Sequence, residues 1–392
     1  MGETRSYNLK TEVGEILYPG KTEDERARNR LLLCDYDYDK YVEGLTGYAG
    51  QNLQQIARVS CAPAVRVRIG ERGYYKAGLA RRKDGALVAA PCAAIRGQGP
   101  YDVTFVIYVY ESKDEGLSWN KINQTPLYGK EPALICLPDG ALLLTAQPIV
   151  NNRMGYSLPV SRSEDGGITW STRYIDGNRD YPRNLFLDHD GSVCFLRSAA
   201  VYFEFEENYP GCTGAGIEIN RSYDGGLTWR TTVGEIDEWD YPGFMELSAL
   251  RLPSGKLIAS LRHQPSGTKG EGFENTLLTY SEDNGAHWTK PVVVTNTGEV
   301  HFHMTLLSDD RLLATYSNYH LPFGVCAMLS EDEGKTWSKQ SPYQLAVSAD
   351  YYVGWGVTCE LPDQSLITSY ASTPYLCEPS ETTVCEAVRW RL

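Results

Sequence analysis

Five copies of one short pattern restrict what this chain can fold into more than anything else in it. They read SKDEGLSW (Ser112–Trp119), SEDGGITW (Ser163–Trp170), SYDGGLTW (Ser222–Trp229), SEDNGAHW (Ser281–Trp288) and SEDEGKTW (Ser330–Trp337). The shared form is S-x-D-x-G-x-x-W. The copies recur roughly every 50 to 60 residues, a period that signals a solenoid or a propeller. The pattern has a mechanical reading. Its Asp accepts hydrogen bonds from backbone N–H groups two and three residues on and closes a tight turn. Its Gly takes the positive φ such a turn needs. Its Trp buries a large ring on the neighbouring sheet and turns its N–H to the turn backbone. Each copy is a hairpin staple, and five of the eight tryptophans lie in staples.

A second repeat interleaves with the first: an apolar run, a turn and another apolar run. It appears at Leu79–Ala89, Leu134–Leu144, Leu185–Phe195, Leu250–Ala259, Leu306–Ala314 and Cys359–Thr368. These are β-hairpins with D-G or related turns. One staple follows each of the first five. The unit is therefore strand, turn, strand, loop, strand, staple, strand, which is one four-stranded propeller blade. The expected fold is all-β, a six-bladed propeller over residues 64–392 with four-stranded antiparallel blades. The last blade ends early, after Val384–Trp390, so an N-terminal strand must complete it. The alternating run Ala64–Ile69 is the better candidate and Glu15–Tyr18 the weaker. Residues 1–63 then form an N-terminal extension packed on the propeller, with a capping box at Thr22-x-x-Glu25 opening a short helix through Leu33.

Composition excludes several classes. Net charge is −13 with no basic run, which argues against nucleic acid and anionic membranes as partners. No stretch approaches a membrane span. The N-terminal MGETRSYNLK has no apolar core of a signal peptide, and the ten cysteines show no zinc-like spacing and read as small buried hydrophobes. Together these point to the reducing cytoplasm, with no cofactor and no metal.

The chemistry belongs on the axis. Staple turns join strands three and four, so the opposite face carries the start of strand one and the end of strand two. Nine residues before each inner turn stand Lys76, Glu131, Glu246, His301 and Trp355, with Pro182 or Arg183 at the equivalent place in blade three. The ends of the second strands add Gln147, Arg197, Arg262, His263 and Ser317. A lone Glu at a strand end is ordinarily a solvated charge. Ionisable groups at equivalent positions of a repeat, aimed at one axis, are a candidate site. His301-x-His303 lacks a third ligand, so a structural or acid role suits it better than metal.

Residues 64–392 resemble the sialidase superfamily, the Asp-box or BNR-repeat neuraminidases. The best local match is blade four, where Glu246 opens the strand and Arg262 follows the hairpin. The resemblance implies a carbohydrate-cleaving enzyme in which Glu246 polarises a tyrosine nucleophile and Arg262 grips a substrate carboxylate, for which a planar guanidinium is suited. It also implies an acid/base Asp after the second strand of blade one, for which Asp102, following Arg96, is the counterpart. The chain departs from that pattern in two places. Lys76 stands where the first arginine of the family's triad belongs, and Trp355 stands where the nucleophilic tyrosine belongs, leaving Tyr351 or Tyr352 to substitute. The leading expectation is an exo-glycosidase on a sialic- or uronic-acid-type sugar that handles common sialosides poorly. Alternatives are a two-carboxylate glycosidase on a neutral sugar such as arabinan, with Glu131 and Glu246 as the pair, a uronate lyase using Lys76 or Arg262 with His303 or a Tyr, and a non-catalytic propeller that holds a glycan on Tyr202, Tyr316, Tyr319, Tyr370 and Tyr375.

Overall fold

The computed structural model describes residues 64–96, 103–150, 153–154, 157–176, 180–199, 216–238, 244–263, 274–320, 323–339, 342–348, 353–372 and 383–392. The expected N-terminal extension and its helix lie outside these residues. Among the described residues there are strands and turns but no helix, and six antiparallel sheets form the blades of a propeller.

The six inner hairpins pair as their turns dictate. The inner strands are Tyr74–Arg81, Lys130–Cys136, Phe186–Leu187, Phe244–Arg251, Glu299–Leu306 and Gly354–Glu360. Each pairs with the strand after its turn: Leu87–Arg96, Leu142–Gln147, Val193–Ser198, Leu257–His263, Leu312–Asn318 and Leu366–Ser372. Blade three is the exception in length. Its inner strand has only two residues, and the segment before it leans on blade four. Arg183 N–H donates to Leu247 O at 2.8 Å, while the Asn184 side chain exchanges two hydrogen bonds with the Ala249 backbone.

Closure follows the expected route. Ala64–Ile69 pairs antiparallel with Val384–Trp390 from Ala64 opposite Trp390 to Ile69 opposite Cys385. It is the outermost strand of blade six, so the first and last described strands are hydrogen-bonded into one sheet and the described residues complete that blade. Alternation along the strands sends apolar side chains to both faces of each blade, where they meet the neighbours. Val88 and Ala90 of blade one pack with Leu142 and Leu144 of blade two, and Leu196 and Ile219 of blade three pack with Leu247 and Leu257 of blade four.

The staples work as expected with one correction: the Asp reaches N–H groups three and four residues on, not two and three. In blade three Asp224 Oδ1 accepts from Leu227 N (3.1 Å), Thr228 N (2.8 Å) and Ser222 Oγ (2.8 Å), while Oδ2 accepts from Thr228 Oγ1 (2.6 Å). Gly226 takes φ 89°. The indole N–H returns to the glycine carbonyl in four staples, for example Trp170 to Gly167 O at 2.9 Å. Trp119 in the first staple makes no such bond. Arginines from one blade cap the next blade's staple: Arg82 donates to Gly166 O (3.0 Å) and Arg162 to Gly225 O (2.7 Å). Arg82 immediately follows the inner strand of blade one, so inner turns and staples share one face. The other face is left for the axial groups.

All six described cysteines are free; Cys194 is buried, while Cys136 and Cys359 are half-buried. No described helix is long and apolar enough to cross a membrane.

Candidate active site

Each inner strand except that of blade three is bulged at the same place. The register shifts fall between Tyr75 and Gly78, Lys130 and Ala133, Met245 and Ser248, Val300 and His303, and Gly354 and Val357. Inside each bulge one residue takes a left-handed backbone: Lys76 (φ 53°), Glu131 (58°), Glu246 (53°), His301 (56°) and Trp355 (55°). A non-glycine residue there costs about 1–2 kcal/mol. A bulge re-aims its side chain. Five such positions around one axis send five side chains to the same point, and they are the five that counting back from the turns selects.

Those side chains close a circuit that takes one member from every blade. Lys76 Nζ donates to Glu131 Oε1. Glu131 Oε2 accepts from Tyr181 Oη at 2.7 Å, and the same hydroxyl lies 3.1 Å from Glu246 Oε1. Glu246 Oε2 faces His301 Nε2 at 3.2 Å. The His301 ring packs on Trp355 with centroids 4.5 Å apart, and the Trp355 face lies 3.7 Å from Lys76 Nζ. All six are buried. The blade-three member is Tyr181, which sequence reasoning missed, since counting pointed to Pro182 or Arg183. With no bulged strand to count along, the signal was absent from the spacing. Arg183 is also at the axis, with Nη1 3.9 Å from Glu131 Oε2.

The cations of the ring are matched by carboxylates. Arg262 Nη1 donates to Glu246 Oε1 at 2.7 Å, as the blade-four hairpin requires, and its Nη2 donates to Glu274 Oε2 at 2.6 Å. Arg197 pairs with Glu218 of its own blade at 2.9 Å. Arg262 Nη1 also meets His301 Nε2 at 2.8 Å. Guanidinium can only donate, so Nε2 is the acceptor and the proton sits on Nδ1, beside Ser317 Oγ (2.8 Å). Nε2 then has nothing to give Glu246 Oε2, a buried acceptor without a donor.

Ionisation follows from burial and neighbours. Burial alone would raise both carboxyls. At Glu131, Lys76 and Lys130 outweigh it and hold the group at about 2. At Glu246, Arg262, then Arg183 and Lys76, hold it below the usual range. Burial pulls the Lys76 ammonium down to about 7, against the attraction of Glu131. Burial and the nearby Arg262, Arg183 and Lys76 drive His301 well below its usual value, so it is neutral. Burial and the two carboxylates push the Tyr181 phenol well above its usual value.

The remaining sequence candidates divide. His303 is one residue past the bulge and faces the axis below the ring, with Nδ1 lacking a partner; burial and Arg183 hold it at about 3. Asp102, Tyr351, Tyr352, Tyr202 and Tyr375 lie outside the described residues, and only the backbone of Arg96 is described. Tyr316, Tyr319 and Tyr370 are buried, so they do not form the exposed aromatic platform a glycan-holding loop needs. Among the described residues no cluster of three His, Cys, Asp or Glu is placed to hold a metal.

The described residues form a closed propeller with staples on one face and a ring of carboxylates, tyrosine and cations on the other. Residues 198–355 match the family model described as BNR repeat-like domain. Fold, staples and this match fit a sialidase-like propeller. A protein of unknown function from Dyadobacter fermentans superposes with a TM-score of 0.65 at 19% identity, covering 83% of this chain and 98% of that one. An α-L-arabinofuranosidase from Fusarium graminearum gives 0.59 at 16% identity, covering 82% and 96%. The NanB sialidase from Streptococcus pneumoniae gives 0.57 at 10% identity, covering 88% and 73%. At these identities the likeness concerns the fold. No curated protein matches the sequence.

Proposed function

We propose that the protein is a glycoside hydrolase that removes a terminal neutral sugar, a pentofuranose such as arabinose, with Glu131 and Glu246 as its working carboxylates. The observation that carries this reading is Tyr181 Oη hydrogen-bonded to both. It holds their oxygens no more than about 5.8 Å apart, the 2.7 Å and 3.1 Å bonds laid end to end. Retaining glycosidases space their carboxyl groups at about 5–5.5 Å, inverting ones at about 6.5–9.5 Å. Retention is the expected course.

The environments suggest the roles. Glu131 is held ionised by Lys76 and is suited to attack or stabilise a developing oxocarbenium ion. Glu246, whose carboxyl Arg262 holds below the usual range against burial, is suited to accept a proton and handles proton transfer. Tyr181 fixes their separation, and the Lys76–Trp355 contact holds the ammonium in place.

A neutral sugar is favoured over the anionic one because Lys76 and Arg262 are committed to Glu131, Glu246 and Glu274. Gripping a substrate carboxylate would mean breaking those buried pairs, which is costly. The tyrosine against Glu246 is the feature shared with the sialidase arrangement, although here it comes from blade three. The solved arabinofuranosidase, with a TM-score of 0.59, is consistent with a neutral pentose.

The test is a panel of aryl glycosides covering arabinofuranose, rhamnose, sialic acid and uronic acids, with the product anomer read by NMR. Turnover of the arabinofuranoside with retention, lost in Glu246→Gln and Glu131→Gln, is expected. Selective turnover of a sialoside or uronide would overturn the neutral-sugar reading, and an inverted product would overturn the assigned roles.

A further inference from the structure

The charged side chains of the ring are almost wholly covered, and one ion pair against them is less so. Lys76, Glu131, Arg183 and Glu246 have side chains 2–5% exposed, whereas Arg262 and Glu274 each keep 10%. The blade-four hairpin explains the position of this pair. Arg262 is the penultimate residue of the second strand, Leu257–His263, and Glu274 immediately precedes the third, Asn275–Ser281, whose last residue opens the staple. His263 lies opposite Asn275 and Arg262 opposite Thr276. Glu274 is therefore beyond the last strand pair, at the end of the blade away from the staples. Two residues before Thr276, it falls by alternation on the side of the sheet that Arg262 uses, and Arg262 Nη2 reaches its Oε2 at 2.6 Å.

The donors of Arg262 are committed one by one. Nη1 carries two protons, and both are taken, by Glu246 Oε1 at 2.7 Å and by His301 Nε2 at 2.8 Å. Nε has no accessible surface. Nη2 is the donor left to turn toward a ligand, and Glu274 holds it. A guanidinium beside two working carboxylates is a natural receptor for the carboxylate of an anionic sugar. In this chain a carboxylate of the protein itself fills that position. An incoming one has to break a charge-assisted bond within a largely buried pair, which is costly, and then to sit against the charge of Glu274. A neutral sugar meets neither obstacle.

We propose that Glu274 is the specificity-determining residue of this site, a resident carboxylate that occupies Arg262 Nη2 and turns anionic sugars away. The inference rests on the glycosidase reading above and adds to it the residue that sets the charge of the substrate. Replacing a purely structural Glu274 would weaken neutral and anionic ligands together. Replacing a residue that selects by charge changes the ratio between them.

The experiment is calorimetric titration of the full-length protein with methyl α-L-arabinofuranoside and with its C5 carboxylate, methyl α-L-arabinofuranosiduronate. The proteins are wild type, Glu274→Gln, and Glu274→Gln combined with Arg262→Gln. Wild type should bind the neutral glycoside more tightly than the carboxylate by about tenfold or more, the penalty of a like charge at the contact. In Glu274→Gln the amide keeps the size of the side chain and removes its charge, so the carboxylate should gain about tenfold or more from the freed guanidinium. That gain should vanish in the double variant. Equal, measurable binding of the two ligands by wild type, which needs no variant to fold, would overturn the proposal. So would an unchanged ratio in Glu274→Gln, or a gain that persists without Arg262. The outcomes also separate this inference from the reading it rests on. Carboxylate binding that appears in Glu274→Gln while neither protein takes the neutral glycoside would uphold Glu274 and overturn the pentose. No binding of either ligand by either protein would overturn both.

Discussion

Tyr181→Phe is the most informative single change. It removes one oxygen and keeps the ring, so no cavity opens and the phenyl remains packed where Tyr181 is buried. What it deletes is the hydroxyl between Glu131 Oε2 (2.7 Å) and Glu246 Oε1 (3.1 Å). One hydroxyl has one proton, so one charged hydrogen bond is lost in full, worth about 1.5–3 kcal/mol, together with a weaker contact to the second carboxylate. The two carboxylates then face each other without a proton between them, which raises both carboxyls above their present values. A loss of about 2–3 kcal/mol in unfolding free energy is expected, measured by urea titration with tryptophan fluorescence. Turnover should fall about a hundredfold, because the carboxylates lose their fixed spacing. Glu131→Gln in a double-mutant cycle with Tyr181→Phe should show a coupling of roughly 0.5–3 kcal/mol, as for residues in one network. A Tyr181→Phe variant within about 0.5 kcal/mol of wild type and with normal turnover would refute the assignment of the axial ring as the reacting centre.

Asp224→Ala removes four hydrogen bonds from an exposed turn, where burial is outweighed by donors from Thr228, Ser222 and Leu227 that hold the carboxyl at about 2. Stability should fall by about 1–3 kcal/mol, with glycoside affinity of the folded fraction unchanged; weakened affinity would place the staple face at the sugar site. Lys76→Met removes the main charge holding Glu131 down, so burial raises that carboxyl and the acid limb of the pH–rate profile should move to higher pH; an unmoved limb would show that Glu131 does not control it. Asp180, buried and accepting from Ser198 N–H at 2.6 Å, is raised by burial to about 7. Its favourable contribution is complete below the unfolded value of 3.8 and is lost as pH rises through about 7. Asp180→Asn should therefore gain on wild type by up to about 1.4 kcal/mol per pH unit between about pH 4 and 7, and a flat difference across that window would contradict a neutral Asp180.

The architecture is legible in the spacing because staples and inner hairpins are local units. A staple is made by residues no more than seven apart, from Ser222 to Trp229, and an inner hairpin by one turn and its flanking strands. Repeats of such units can be counted in the sequence, and so can the completing strand Ala64–Ile69, since its alternation suits an outer strand and the last blade lacks one. The ring positions were legible for the same reason. The distance from bulge to turn is constant in five blades, so Lys76, Glu131, Glu246, His301 and Trp355 stand at one count from their turns.

What needed the tertiary structure was everything that depends on separations between blades. Tyr181 enters the ring because blade three has a two-residue inner strand and a segment that leans on blade four, a departure from the repeat that periodicity cannot signal. Its partners are 50 and 65 residues away in sequence, and Lys76 is 55 residues from Glu131. The pairing of Arg262 with Glu274 as well as Glu246, which removes it from a free carboxylate grip, and the Nδ1 tautomer of His301 are likewise set by neighbours that only folding brings together. Residue type and spacing select which side chains reach the axis. Which charges cancel there, and which donors are left over, is decided by packing, because the Coulomb and desolvation terms of a buried group depend on distances of a few ångströms that no local pattern encodes.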